Sequence, residues 1–135
     1  MKRLRSVVVL LVLAGLALGS DIIRQGTLNA YSNGANIIVQ WGTTDESQVA
    51  HFYVQRSTSS NDGFQDISSA ITPKGSYSTY EFTDYSAFKT TASIYFYKIR
   101  IEGKDGSSSF SDVKSVTHSV SSVRRTWGSL KAMFR

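Results

Sequence analysis

The chain holds two histidines, His51 and His118, ten carboxylates and no cysteine. The chemistry open to it is therefore acid–base or metal-assisted catalysis through histidine and carboxylate, never thiolate chemistry. That chemistry requires the groups to converge, and the sequence offers no pattern that brings them together. The histidines are far apart, no H-x-x-x-H helical spacing occurs, and neither a G-x-S-x-G elbow nor a glycine-rich phosphate loop is present. Both histidines read as surface or strand-edge residues. Asp45 and Glu46 lie adjacent in "TTDESQ", and Asp62 and Asp66 lie close in "NDGFQD". Neither spacing matches the D-x-[DN]-x-[DN]-G calcium loop, so both pairs read as solvated turns. No catalytic residue, metal site or cofactor is expected. A hydrolase would require His51 or His118 within hydrogen-bond reach of a carboxylate in a pocket.

The elements that would position such groups show the period-two alternation of strands, broken by turn signals at short intervals. In "ANIIVQW", Ile37, Val39 and Trp41 share a face opposite Ile38 and Gln40. Phe52 and Val54 pair in "HFYVQRS", and Tyr80 pairs with Phe82 in "TYEFTD". The strongest run is "SIYFYKIRIEG", where Tyr95, Tyr97, Ile99 and Ile101 alternate with Phe96, Lys98, Arg100 and Glu102. The expected core is therefore Trp41, Phe52, Val54, Phe82, Tyr95, Tyr97, Ile99 and Ile101. Asn33-Gly34, Asp62-Gly63, Lys74-Gly75 and Asp105-Gly106 supply turn chemistry between the runs. The pattern predicts an all-β antiparallel sandwich or barrel. Tyr53 and Phe96 have outward parity, and Tyr85 and Phe88 stand in a connection. They read as cover for the core edges, the sharper alternative being a sugar-stacking or protein-docking patch.

From about Leu28 to His118 these residues resemble a fibronectin type III domain of the variety common in bacterial secreted proteins. The likeness is carried by the strand ending at Trp41, then "FYVQRS", "YEFTD", "YFYKIRIEGKDG" and "SFSDVKSV". It implies an immunoglobulin-like β-sandwich with Trp41 in the core and Tyr95 as the tyrosine corner, its hydroxyl bonded to backbone upstream. It also implies a spacer or a protein- or carbohydrate-binding role, not an enzyme. The prolines that often follow the second-strand tryptophan are missing.

The two ends differ from the body. Lys2, Arg3 and Arg5 precede an apolar run from Val7 to Leu18 and the small residues Ala17 and Gly19, the three regions of a secretory signal peptide over residues 1–19. The run is about half of the roughly 20 residues that a membrane span needs. The body is expected over 20–118 and a linker with tail over 119–135. The net charge of +5 comes from 15 basic and 10 acidic residues. Lys2, Arg3 and Arg5 lie in the signal and Arg124, Arg125, Lys131 and Arg135 in the tail, which leaves 8 basic and 10 acidic groups over 20–123. That slightly acidic body argues against nucleic acid as a partner.

In the tail, Trp127, Leu130, Met133 and Phe134 fall within an arc of about 120° at helical spacing, with Arg124, Lys131 and Arg135 beside it. The tail reads as an amphipathic recognition or anchoring element. Its candidate surfaces are a protein partner, an envelope surface or an anionic membrane interface, with packing on its own sandwich second. The sequence thus predicts a secreted, non-catalytic binding or adhesion module located in periplasm, cell surface or medium. The alternative is a structural subunit that self-assembles through strand edges or tail docking.

Overall fold

A computed structural model describes residues 22–87 and 93–119. The expected signal peptide, Phe88 and the whole tail from Arg124 to Arg135 lie outside the described residues. Eight strands follow one another: β1 (Asn29–Ser32), β2 (Ile37–Gly42), β3 (Val49–Ser57), β4 (Gln65–Asp66), β5 (Thr79–Asp84), β6 (Ser93–Gly103), β7 (Ser108–Phe110) and β8 (Lys114–His118). They form two antiparallel sheets. The smaller has the order β1-β2-β5, and the larger β4-β3-β6, with β7 and β8 both pairing the far side of β6.

The alternation in β2 and β6 explains the layering. Trp41, Val39 and Ile37 pair with Tyr80, Phe82 and Asp84 of β5, and all face the larger sheet. Tyr95, Tyr97, Ile99 and Ile101 of β6 face them and are buried. Phe52 and Val54 of β3 are fully buried beside them. The rings interlock across the layers: Trp41 stacks on Tyr80 with centroids 5.2 Å apart, and Phe52 tilts against Tyr80 at 5.1 Å. Burying each ring is worth about 3 kcal/mol. Phe82 is half-buried at the margin of this cluster.

Ile38, on the opposite face of β2, departs from the wet face that its parity predicts, being buried between its cross-strand neighbours Tyr31 and Thr83. The last edge of the larger sheet is broken. β7 pairs with Arg100–Glu102 and β8 with Ser93–Tyr97, and Ser111 spans the gap. Its backbone N–H donates to the Ile99 carbonyl at 2.9 Å, and its Oγ accepts from the Ile99 N–H at 2.8 Å. A side chain thus completes the ladder where the strand leaves it. On the other edge, β4 is only two residues long, yet Ile71 exchanges both backbone hydrogen bonds with Phe52 and covers β3 further along.

Candidate functional site

The polar groups that carry chemistry fall into three buried nodes, and two of them correct the sequence reading. Glu46 is buried, not a solvated turn residue. Its Oε2 accepts from the Thr43 hydroxyl at 2.5 Å and the Tyr80 hydroxyl at 2.6 Å, and its Oε1 from the Gly75 N–H at 2.8 Å. The position just after β2, the loop before β5 and β5 itself supply one donor each, from Thr43, Gly75 and Tyr80, and remove the carboxyl from water. Tyr80 accepts in turn from the Lys74 N–H at 2.8 Å. Burial, together with the bond to Glu46, pushes the Tyr80 phenol up to about 12.

His118 is fully buried, not a strand-edge residue. Its Nε2 lies 2.9 Å from the Ala87 carbonyl and its Nδ1 2.8 Å from the Ser32 hydroxyl. A carbonyl only accepts, so Nε2 carries a proton directed at Ala87. The imidazole ties the end of β8 to β1 and to the connection before β6. That is a structural role, with no carboxylate bonded to the ring among the described residues. His51 lies on the outer face, 3.8 Å from Glu102, beyond hydrogen-bond distance.

The third node bridges the sheets. Asp84 is buried and accepts from Arg56 Nη1 at 2.7 Å, the Tyr97 hydroxyl at 2.7 Å and the Ser86 N–H at 3.0 Å. Burial acts to raise its pKa, but the bonds from Ser86, Tyr97 and Arg56 prevail and hold it below the usual carboxylate range. Burial and Asp84 together push the Tyr97 phenol upward. The β6 tyrosine bonded back toward β5 is thus Tyr97, to a side chain. Tyr95 is also buried, with the Arg56 guanidinium 5.3 Å from its ring.

Two surfaces remain for recognition. On the outer face of the larger sheet, the Lys98 ammonium sits between Phe64, at 4.3 Å, and Phe110, at 4.2 Å. No carboxylate lies in ion-pair reach of it among the described residues. Beside it, Arg100 stacks over Tyr53 at 4.0 Å and bonds Asp66 at 2.8 Å, which lowers the Asp66 pKa. Cross-strand register creates this arrangement, since Arg100 pairs with Tyr53 on one side and Phe110 on the other. Parity located Tyr53 and Phe96 on this face; Phe64 and Phe110 arrive from loops and a short strand that parity could not align. The second surface is an open groove of about 760 Å³ where residues 23–28, Thr44–Asp45, Tyr77 and 111–114 meet. Asp62, in the second acidic pair read as a solvated turn, accepts from the Ser57 hydroxyl through its backbone carbonyl. No cluster of three potential metal ligands occurs among the described residues.

Among solved structures, pectate lyase PelI from Erwinia chrysanthemi, determined with tetragalacturonic acid, aligns with a TM-score of 0.52 at 23% identity over 66% of this chain. A Fn3-like protein from Clostridium thermocellum aligns at 0.51 and 22% identity, over 67% of this chain and 86% of its own. The chain has an Fn3-like sandwich fold. Pectate lyase Pel3 from Pectobacterium carotovorum aligns at 0.51 and 24% identity over 67% of this chain. The alignment covers only 27% of the PelI chain and 26% of the Pel3 chain. No protein-family model and no curated sequence matches the chain.

Proposed function

We propose that this Fn3-like chain is a secreted, envelope-associated binding or adhesion module without catalytic activity. In this reading it docks a protein partner on the outer face of its larger sheet and is positioned by the basic aromatic tail. The observation that carries the reading is Lys98, a cation held between two aromatic rings with no carboxylate in reach among the described residues. Aromatic residues and arginine concentrate at the energetic centres of interfaces, and Tyr53, Phe110 and Arg100 surround Lys98 here. Glu46, Asp84 and His118, by contrast, are committed to the buried nodes. The Fn3-like fold within much longer pectate lyase chains supports a modular role.

The test is retention of the chain on envelope fragments of bacteria that secrete it, with Lys98→Ala/Phe110→Ala as comparison. Retention should fall about tenfold at unchanged melting temperature. Equal retention by a folded double variant would exclude the outer face as the docking surface. A self-assembling subunit is the second reading, favoured by β5, which among the described residues pairs only with β2 and forms an edge of the smaller sheet.

A further inference from the structure

Tyr77 combines two properties that rarely coincide. It is 70% exposed, and its backbone is left-handed, with φ of +60°. At five other left-handed positions the described chain uses glycine, which adopts that conformation without strain. A tyrosine there is costly, and no burial of its ring compensates. The surroundings nevertheless hold it firmly. The Tyr77 N–H donates to the Thr44 carbonyl at 2.9 Å, the Ser78 N–H donates to the Thr43 hydroxyl at 3.2 Å, and the buried Glu46 carboxyl anchors Gly75 two residues before. The phenol ring is thereby presented at the wall of the groove.

The groove has the size of a small-molecule site, typically about 300–1,000 Å³. Its floor includes the buried Ile23 and Leu28. Its walls carry the carboxylates of Asp45 and Asp112 and the amide of Gln25. Ser47 holds Asp45 below the usual carboxylate range, so it remains an acceptor in mild acid. The side chains of Gln25 and Asp112 make no hydrogen bond or ion pair among the described residues. Two cations also line the groove: Lys114, and Arg24, which reaches the Thr43 carbonyl and lies across Gly42. An exposed aromatic face next to two carboxylates and an amide suits a ligand with apolar C–H faces and paired hydroxyl donors. Asp45 and Asp112 are balanced by Arg24 and Lys114 in the lining, so the groove carries no net positive charge to draw an anionic ligand.

We propose that this groove binds a neutral saccharide chain, with one sugar ring stacked on Tyr77 and adjacent hydroxyls donating to Asp45 and Asp112. The proposal rests on the binding-module reading but uses a different surface from the Lys98 face. The test titrates the isotope-labelled chain with cellohexaose, xylohexaose, mannohexaose and chitohexaose, with hexagalacturonic acid as the anionic control, following amide resonances. At least one neutral probe should shift the signals of Gln25, Asp45, Tyr77 and Asp112. Tyr77→Gly, which relieves the left-handed backbone, should weaken that binding about tenfold or more without lowering the melting temperature. Tyr77→Phe should keep it. The proposal is overturned if no neutral probe shifts these signals, if Tyr77→Gly binds as the parent does, or if hexagalacturonic acid binds better than every neutral sugar. Envelope retention through Lys98 and Phe110 is read separately, so either idea can fail without the other.

Discussion

Glu46 and Asp84 are both carboxyl groups inside a sandwich, and they are tolerated for different reasons. Asp84 has a guanidinium partner in Arg56. Glu46 has hydroxyl and backbone donors instead, so its node depends on the Tyr80 proton. This makes the fold sensitive to alkali. Tyr80 titrates near 12 in the folded protein against 10.0 for the free side chain, and Tyr97 is raised too, by burial and Asp84. A raised folded-state value means that the unfolded chain gives up its proton first. The stabilisation is therefore complete below pH 10 and is lost as the pH climbs toward about 12. Urea unfolding at a series of pH values should show stability falling through that window, with a shallower fall in Tyr80→Phe. A Tyr80→Phe variant with the parent's alkaline slope would show that the node contributes nothing to it.

At the level of elements, strands with clean alternation were legible because burial on one face imposes period two on Tyr95–Ile101 and Ile37–Trp41. The turns at Gly34, Gly63, Gly75 and Gly106 were legible because glycine accompanies the left-handed backbone found at each. Tyr77 broke that rule, and no sequence signal marks a strained tyrosine. The burial of Glu46 and His118 was equally hidden, since their donors and acceptors come from distant segments that only the folded topology brings together. The outer-face ladder was half visible: parity gave Tyr53, Lys98 and Arg100, while the break between β7 and β8 that seats Phe110 leaves no pattern. Ser111 is the device that permits this break. Ser111→Ala leaves the buried Ile99 N–H without its acceptor and should cost about 1–3 kcal/mol. Denaturant titration should show a lower midpoint with an unchanged slope. A loss under about 0.5 kcal/mol would mean that water replaces the hydroxyl at no cost.

For the molecule as a whole, the tail poses the energetic question. Burying Trp127, Leu130, Met133 and Phe134 would return on the order of 6–12 kcal/mol, whereas about a dozen residues containing Gly128 are marginal as an isolated helix. The segment therefore needs a surface to fold on. The serine-rich stretch "SVSSV" between β8 and the tail argues against tight packing on the same domain, which is why the tail is assigned to anchoring in the proposed function. Ending the chain at Ser122 should leave the sandwich folded, with its melting temperature within a few degrees of the parent, and should shift the protein from the envelope fraction to the soluble one. Unchanged fractionation together with a large drop in melting temperature would place the tail on its own domain and remove anchoring from the proposal. Column elution separates the remaining reading: a module docking foreign partners elutes as a monomer at every concentration, whereas a subunit joining through β5 or the tail grows with concentration, and only tail-mediated growth disappears on truncation at Ser122.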